Sequence, residues 1–268
     1  RIGGVGMSRA PGRGGGRGAR TPHLYQIRGG LNGGQAWARS GRVDQRSAFG
    51  LEKRLPPRDG VAILRPMAMT RFPDPYGGPP LRAVARRLVL EGDAPRVVVV
   101  ADTHSEPHPA LLELLRRERP AVILHAGDIG ALDVLAALAG VAPVVAVRGN
   151  IDGRAGDLPD IVDVTLAWGG ATVAVLLTHI AVRGPRLSAG ARRLAEAHAA
   201  DLVVCGHSHV PLIARDGRFA VFNPGSVGPR RFTLPITFGV IDLGDAGLSL
   251  RHVDCETGEA WRPGGSVR

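Results

Sequence analysis

Val97-Val98-Val99-Val100-Ala101-Asp102-Thr103-His104 is the stretch on which the reading of this chain turns. A run of valines this apolar and β-branched fits a strand buried on both faces, and the polar Asp-Thr-His marks its end. The arrangement recurs along the chain. Ala121-Val122-Ile123-Leu124 leads to Gly127-Asp128, and Val144-Val145-Ala146-Val147 leads to Gly149-Asn150. Val173-Ala174-Val175-Leu176-Leu177 leads to Thr178-His179, and Leu202-Val203-Val204-Cys205 leads to Gly206-His207-Ser208-His209. In an open α/β sheet, ligands gather outside the carboxyl ends of the strands. Asp102, His104, Asp128, Asn150, His179, His207 and His209 are therefore expected at one edge, as oxygen and imidazole donors to metal.

Between these strands the apolar period changes from two to that of a helix. Leu111, Leu114 and Leu115 form a stripe over residues 109–117, and Leu132, Val134, Leu135 and Leu138 form the next. The first half thus reads βαβαβ, a parallel sheet with right-handed crossovers. The second half reads differently. Residues 161–166 and 171–177 suggest an antiparallel hairpin across Gly169-Gly170, followed by a helix over 186–199. Residues 211–215 and 218–222 pair across Asp216-Gly217, Asn223-Pro224-Gly225-Ser226 is a turn, and 236–241 and 247–253 close the body. The expected fold is α/β, with two sheets face to face and helices outside.

The formal charge of +10 on 268 residues is uneven. Residues 1–66 carry 13 Lys+Arg against 3 Asp+Glu, a surplus of 10, and the remaining 21 and 21 cancel. The basic, Gly-rich leader cannot bury enough apolar surface to offset its chain entropy and is expected to be disordered. An arginine-glycine RNA tail or a targeting leader would share this composition. So would translated upstream sequence, with the start at Met67 or Met69, and that reading is preferred. Residues 67–95 read as a linker and a short helix at 81–91, residues 96–253 as the folded domain, and 254–268 as a flexible tail. The neutral body and the 4% aromatic content speak against a nucleic-acid groove. No apolar run reaches the ~18–20 residues of a membrane helix. Cys205 and Cys255 are too few for a disulfide framework and fit a reducing cytoplasm.

The donors suit a dinuclear centre. Asp102 with His104, and His207 with His209, stand at i and i+2, which on an extended segment places both side chains on one face. Asp128 has one oxygen for each of two ions. Mixed nitrogen and oxygen donors without thiolate suit Mn²⁺, Fe²⁺, Co²⁺, Ni²⁺ or Zn²⁺, and two such ions can clamp the attacking and leaving oxygens of a phosphoryl transfer. His23, His108, His198 and His252 read as structural or surface residues. His125 and Asp152 are candidates to back the ligands, and the pair Arg230 and Arg231 to bind phosphate.

As an ordered set, Asp102-x-His104, Gly127-Asp128, Gly149-Asn150-x-Asp152, His179, Gly206-His207-x-His209 and Asn223-Pro224-Gly225-Ser226 resemble the calcineurin-like metallophosphoesterase superfamily, and most of all its YfcE-type phosphodiesterases. The resemblance implies a four-layer α/β/β/α sandwich, with Asp102, His104, Asp128 and His209 on one metal and Asp128, Asn150, His179 and His207 on the other, Mn²⁺ being the expected metal in both positions. It also implies hydrolysis of a small phosphodiester, or a phosphomonoester, by in-line attack of a bridging hydroxide, with Asp128, Asn150 and His179 central to catalysis. Homo-oligomers are open to such a domain. Two positions depart from the pattern. Ile151 stands where many relatives place a histidine beside the leaving group, and Thr178-His179 continues Ile180-Ala181 instead of Gly-His. A nuclease, or a non-catalytic protein scaffold of the kind found in retromer, are the alternative readings.

Overall fold

The computed structural model describes residues 25–27, 61–63, 69–74, 77–153 and 157–263. Most of the 1–66 leader lies outside the described residues, and so does His23. The described residues of the leader form two short strands, β1 (Tyr25–Ile27) and β2 (Val61–Ile63). The chain continues through β3 (Thr70–Phe72), β4 (Leu81–Leu90), β5 (Arg96–Val100), α1 (Leu111–Glu118), β6 (Val122–His125), α2 (Asp133–Ala139) and β7 (Val144–Ala146). Then follow β8 (Ile161–Trp168), β9 (Ala171–Thr178), β10 (Val182–Arg183), β11 (Arg186–Leu187), α3 (Ala189–Ala197) and β12 (Leu202–Val204). Last come β13 (Leu212–Asp216), β14 (Phe219–Asn223), β15 (Thr237–Gly244), β16 (Gly247–Asp254) and β17 (Ala260–Trp261).

These strands build two large mixed sheets. One runs β1-β16-β15-β5-β6-β7, and the other runs β13-β14-β12-β9-β8-β4-β2. β5, β6 and β7 are mutually parallel, and so are β9, β12 and β14. The alternation of side chains along each strand sorts the residues into layers. Val97, Val99, Val122 and Leu124 of the first sheet meet Val164, Val175, Leu177 and Phe222 of the second in one buried core. Val98, Val100 and Ile123 face outward and pack on Leu111 and Leu115 of α1 and Val134 and Leu138 of α2. Leu176, Val203 and Val221 pack on Ala191, Leu194 and Ala195 of α3. The result is the α/β/β/α sandwich. Close approach of the sheets is fitted residue by residue: a Cβ on Gly239 would stand 2.4 Å from Phe222 Cζ.

Three expectations need correction. Residues 81–91 do not form a short helix. β4 is a ten-residue strand, parallel to β8 from Ala83↔Ile161 to Val89↔Ala167. Leu88 and Leu90, two residues apart on one face of the strand, enter the core between the sheets. Nor is the segment from 254 onward uniformly a tail. β17 pairs with β16, and the Trp261 ring stands edge-on to His252, with centroids 5.7 Å apart. The helix expected over 186–199 begins at Ala189, capped by Ser188, whose Oγ accepts from the Ala191 N–H at 3.1 Å; Arg186 and Leu187 ahead of it form β11.

Candidate metal centre

Every strand that carries a predicted donor opens its carboxyl end toward the same place. The loop after β5 is stitched to the loop after β6 by backbone hydrogen bonds from Asp102 N to Gly127 O (2.9 Å), His104 N to Asp128 O (3.0 Å) and Ser105 N to Ile129 O (2.9 Å). The loop after β12 is tied to β9 by Gly206 N donating to His179 O at 3.0 Å. The convergence of Asp102 with His104, and of His207 with His209, does not arise from extended backbone as expected. These four residues and Asp128 all have left-handed φ, of 54°, 47°, 67°, 59° and 54° in that order. A non-glycine residue in this region costs of order 1 kcal/mol or more and persists only where its surroundings hold it. Tight left-handed turns, rather than a pleat, aim both side chains inward.

The donors meet closely. His104 Nε2 lies 3.3 Å from His209 Nε2, and His209 Nε2 lies 3.4 Å from Asp102 Oδ1. On the other side, Asn150 Oδ1 is 3.1 Å from His179 Nε2 and 2.9 Å from His207 Nδ1. Asp128 stands between: its Oδ2 is 3.9 Å from His104 Nε2 and its Oδ1 is 3.2 Å from His179 Nε2. Two groups of potential ligands result, Asp102-His104-His209 and Asp128-His179-His207, with the donor atoms of each within 4.8 Å of one another. All seven predicted donors are thus brought together. Imidazole nitrogens and carboxylate oxygens this close suit a cation lodged among them.

The electrostatics point the same way. Burial, with the Asp128 carboxylate adding to it, pushes Asp102 up to about 7, against the opposing pull of His179. Burial also pushes Asp128 up, but the hydrogen bond and charge of His179, with the Ile151 N–H, more than offset it and bring Asp128 to about 2. His179 rises against its own burial because both carboxylates favour its proton. Burial lowers His104, His207 and His209, the last to about 4, with Arg231 lowering His104 and His209 further. Most of the imidazoles are therefore neutral, with lone pairs free to bind a cation.

A supporting set fixes the donors. His179 Nδ1 donates to Ala126 O at 2.7 Å, which leaves Nε2 as the ligand atom. Asp152 lies behind the donors and gathers backbone N–H groups of two loops. Its Oδ1 accepts from Ile129 N and Gly130 N, both at 2.9 Å, and its Oδ2 from Gly149 N at 2.6 Å. Gly149 is required where it stands, since a Cβ would lie 2.0 Å from Asp128 Oδ1. His125 is buried with both ring nitrogens engaged: Nδ1 accepts from Gly127 N at 3.1 Å, and Nε2 faces Thr103 Oγ1 at 3.1 Å. Burial holds it neutral, near 3. The sequence reading missed how Asn223 and Ser226 take part. Asn223 Nδ2 donates to Gly206 O at 2.8 Å, and Ser226 Oγ donates to Asp102 O at 3.0 Å. The Asn-Pro-Gly-Ser turn was the available signal. It clamps the His-Ser-His loop and the Asp-Thr-His loop at once.

The two arginines separate. Arg231 Nη2 lies 3.3 Å from His104 Nε2, at the mouth of the centre. Arg230 turns away to pair with Glu256 and donates to Leu234 O at 2.9 Å. The side chains of His198 and His252 are engaged elsewhere, with Asp163 and with the Asn223 carbonyl, and His108 Nδ1 accepts from Ala110 N. Ile151 is 48% exposed, and only its backbone N–H reaches the centre, donating to Asp128 Oδ1 at 3.1 Å.

Comparison with known proteins agrees with this geometry. The chain is 32% identical over 143 residues to a protein named "Probable metallophosphoesterase" from Methanothermobacter thermautotrophicus, spanning 51% of this chain and 80% of that one. It is 30% identical over 102 residues to phosphodiesterase YfcE of Escherichia coli, spanning 37% of this chain and about half, 52%, of that protein. Among solved structures, Vacuolar Protein Sorting 29 from Cryptosporidium parvum superposes with a TM-score of 0.52 at 18% identity, over 63% of this chain and 96% of the other, a likeness of fold alone. The model of the calcineurin-like phosphoesterase superfamily domain matches residues 96–246, more than half of the chain, and the chain belongs to that superfamily.

Proposed function

We propose that this chain hydrolyses small phosphodiesters with two divalent cations, held by Asp102, His104, Asp128 and His209 on one side and by Asp128, Asn150, His179 and His207 on the other. The observation that carries this reading is the split of Asp128, whose two oxygens face separate sets of donors. The cations, when bound, supply Lewis-acid activation of water and neutralise charge on the phosphoryl oxygens. Everything else falls to the chain. Asp152 and the His179–Ala126 hydrogen bond hold the donors in place before substrate arrives. Arg231 sets a guanidinium beside His104, where it can meet a phosphoryl oxygen. Mn²⁺ is the metal we favour for this nitrogen and oxygen donor set. The buried thiols Cys205 and Cys255 fit a reducing cytoplasm, and no helix among the described residues is long and apolar enough to cross a membrane.

Proton donation to the leaving group is the step this chain supplies least. Ile151 has no proton to give, Asp152 is committed to three backbone N–H groups, and His125 is sealed in the interior. General-acid assistance is typically worth ~10²–10⁴-fold, so esters with stable leaving groups should be strongly preferred. The test is metal-dependent turnover of bis(p-nitrophenyl) phosphate against p-nitrophenyl phosphate, extended to diesters of rising leaving-group pKa. A steep fall of log kcat/KM with leaving-group pKa is expected. A shallow slope would show that another acid serves, and an absence of metal-dependent turnover would remove the reading.

A further inference from the structure

Exposed large apolar side chains are few among the described residues: Met69, Leu132, Ile151, Ile180, Val210 and Phe232. Four of these directly follow residues of the centre. Ile151 follows Asn150, Ile180 follows His179, Val210 follows His209, and Phe232 follows Arg231. Neighbouring Cα atoms are ~3.8 Å apart, so each of the four is one residue along the chain from a donor or from Arg231. They come from loops after four different strands, β7, β9, β12 and β14, and from no single apolar stretch of sequence. Phe232 is the most telling. It is 91% exposed and held at a left-handed φ of 53°, a conformation disfavoured for a bulky residue.

We propose that Ile151, Ile180, Val210 and Phe232 form an apolar rim that grips the organic group of the substrate, and that this group is aromatic or branched aliphatic. The inference rests on the phosphoesterase reading above. With the phosphoryl group seated on the donors and Arg231, its ester substituents must leave the centre past these four side chains. The rim side chains offer no hydrogen bonds to a sugar or other polyol, whereas they gain by shedding water against an apolar surface.

The test keeps the leaving group constant. The Mn²⁺-loaded protein is given two p-nitrophenyl phosphodiesters of similar size, one carrying a benzyl group and the other a 2,3-dihydroxypropyl group. The parent should favour the benzyl ester by roughly tenfold or more in kcat/KM, mostly through KM, as apolar pockets of this kind discriminate. In the double variant Phe232→Ser with Ile180→Ser, that ratio should fall toward one with metal content unchanged. A parent ratio near one, or a ratio that survives the double substitution, would overturn the proposal while leaving the phosphoesterase reading intact. A shift from dimer to monomer in the variant with the ratio unchanged would assign the rim to a second copy of the chain and equally overturn it. Failure of the loaded parent to turn over either ester would remove the phosphoesterase reading and the rim proposal together.

Discussion

The two ends of strand β5 make opposite electrostatic choices. At its amino end, Arg96 pairs with Asp242 at 3.0 Å and Glu118 at 3.5 Å, and Arg251 reaches the same two acids at 2.9 and 2.6 Å. Two cations and two anions alternate in a closed ring, each charge matched within the chain. At the carboxyl end, two buried carboxylates and four imidazoles face one another, and like meets like: His104 stacks on His209 with ring centroids 5.1 Å apart. The first arrangement is complete in itself. The second has donors in excess, and its left-handed turns hold them together at a conformational cost. The charges of the matched end are spent on one another, whereas the unmatched end keeps donors that a cation could take up.

The sharpest way to break this contrast is Asp128→Asn, which removes the carboxylate shared by both sets of donors. Turnover should fall by about 10²–10³-fold, the scale of losing one pre-organised electrostatic contact, and metal analysis should show reduced occupancy. Full occupancy with normal turnover would refute the sharing.

A second experiment asks what supports the unmatched end. His252 donates from Nε2 to the carbonyl of Asn223 at 2.7 Å, and Asn223 in turn holds the His-Ser-His loop. Burial lowers His252 from 6.5 to about 4, against that hydrogen bond. The folded state thus keeps the ring neutral while the unfolded chain protonates below 6.5. Stability is present in full above pH 6.5 and declines as pH falls toward 4, by ~3 kcal/mol for this group. His252→Gln should remove that portion of the decline, read as the difference between the two proteins in denaturant midpoint against pH. Parallel curves would contradict it.

The matched end should show the smallest and least functional effect. Arg251→Met breaks the ring and should cost ~2 kcal/mol through lost charge-assisted hydrogen bonds, seen as a lower Tm with unchanged kcat/KM. A change in kcat/KM would mean that the two ends communicate along β5.

Much of this was legible before any coordinates. Valine-rich runs closed by Asp, Asn or His report both a buried strand and what stands at its end, so the sheets and all seven donors follow from one pattern. β4 is hard to recognise because Arg82, Arg86 and Arg87 break its apolar run and leave it without the clean pattern of a buried strand. The left-handed turns were not legible, since Asp and His carry no backbone signature comparable to that of glycine. Nor could the sequence separate Arg230 from Arg231. Adjacent residues with the same side chain differ here only in which partner, Glu256 or His104, lies within reach.

The position of β4 bears on how the domain can be handled. The superfamily match begins at residue 96, yet β4 ends at Leu90 and lies against β8 along nearly its whole length. A chain trimmed to Arg96 would leave β8, with buried Ile161, Val162, Val164 and Leu166, as a bare sheet edge. Unpaired strand edges of this length and apolarity recruit other strands, so such a fragment invites aggregation in a test tube even though all seven candidate donors are present. The practical border of the folded unit lies before Leu81, outside the part that its relatives make easy to recognise.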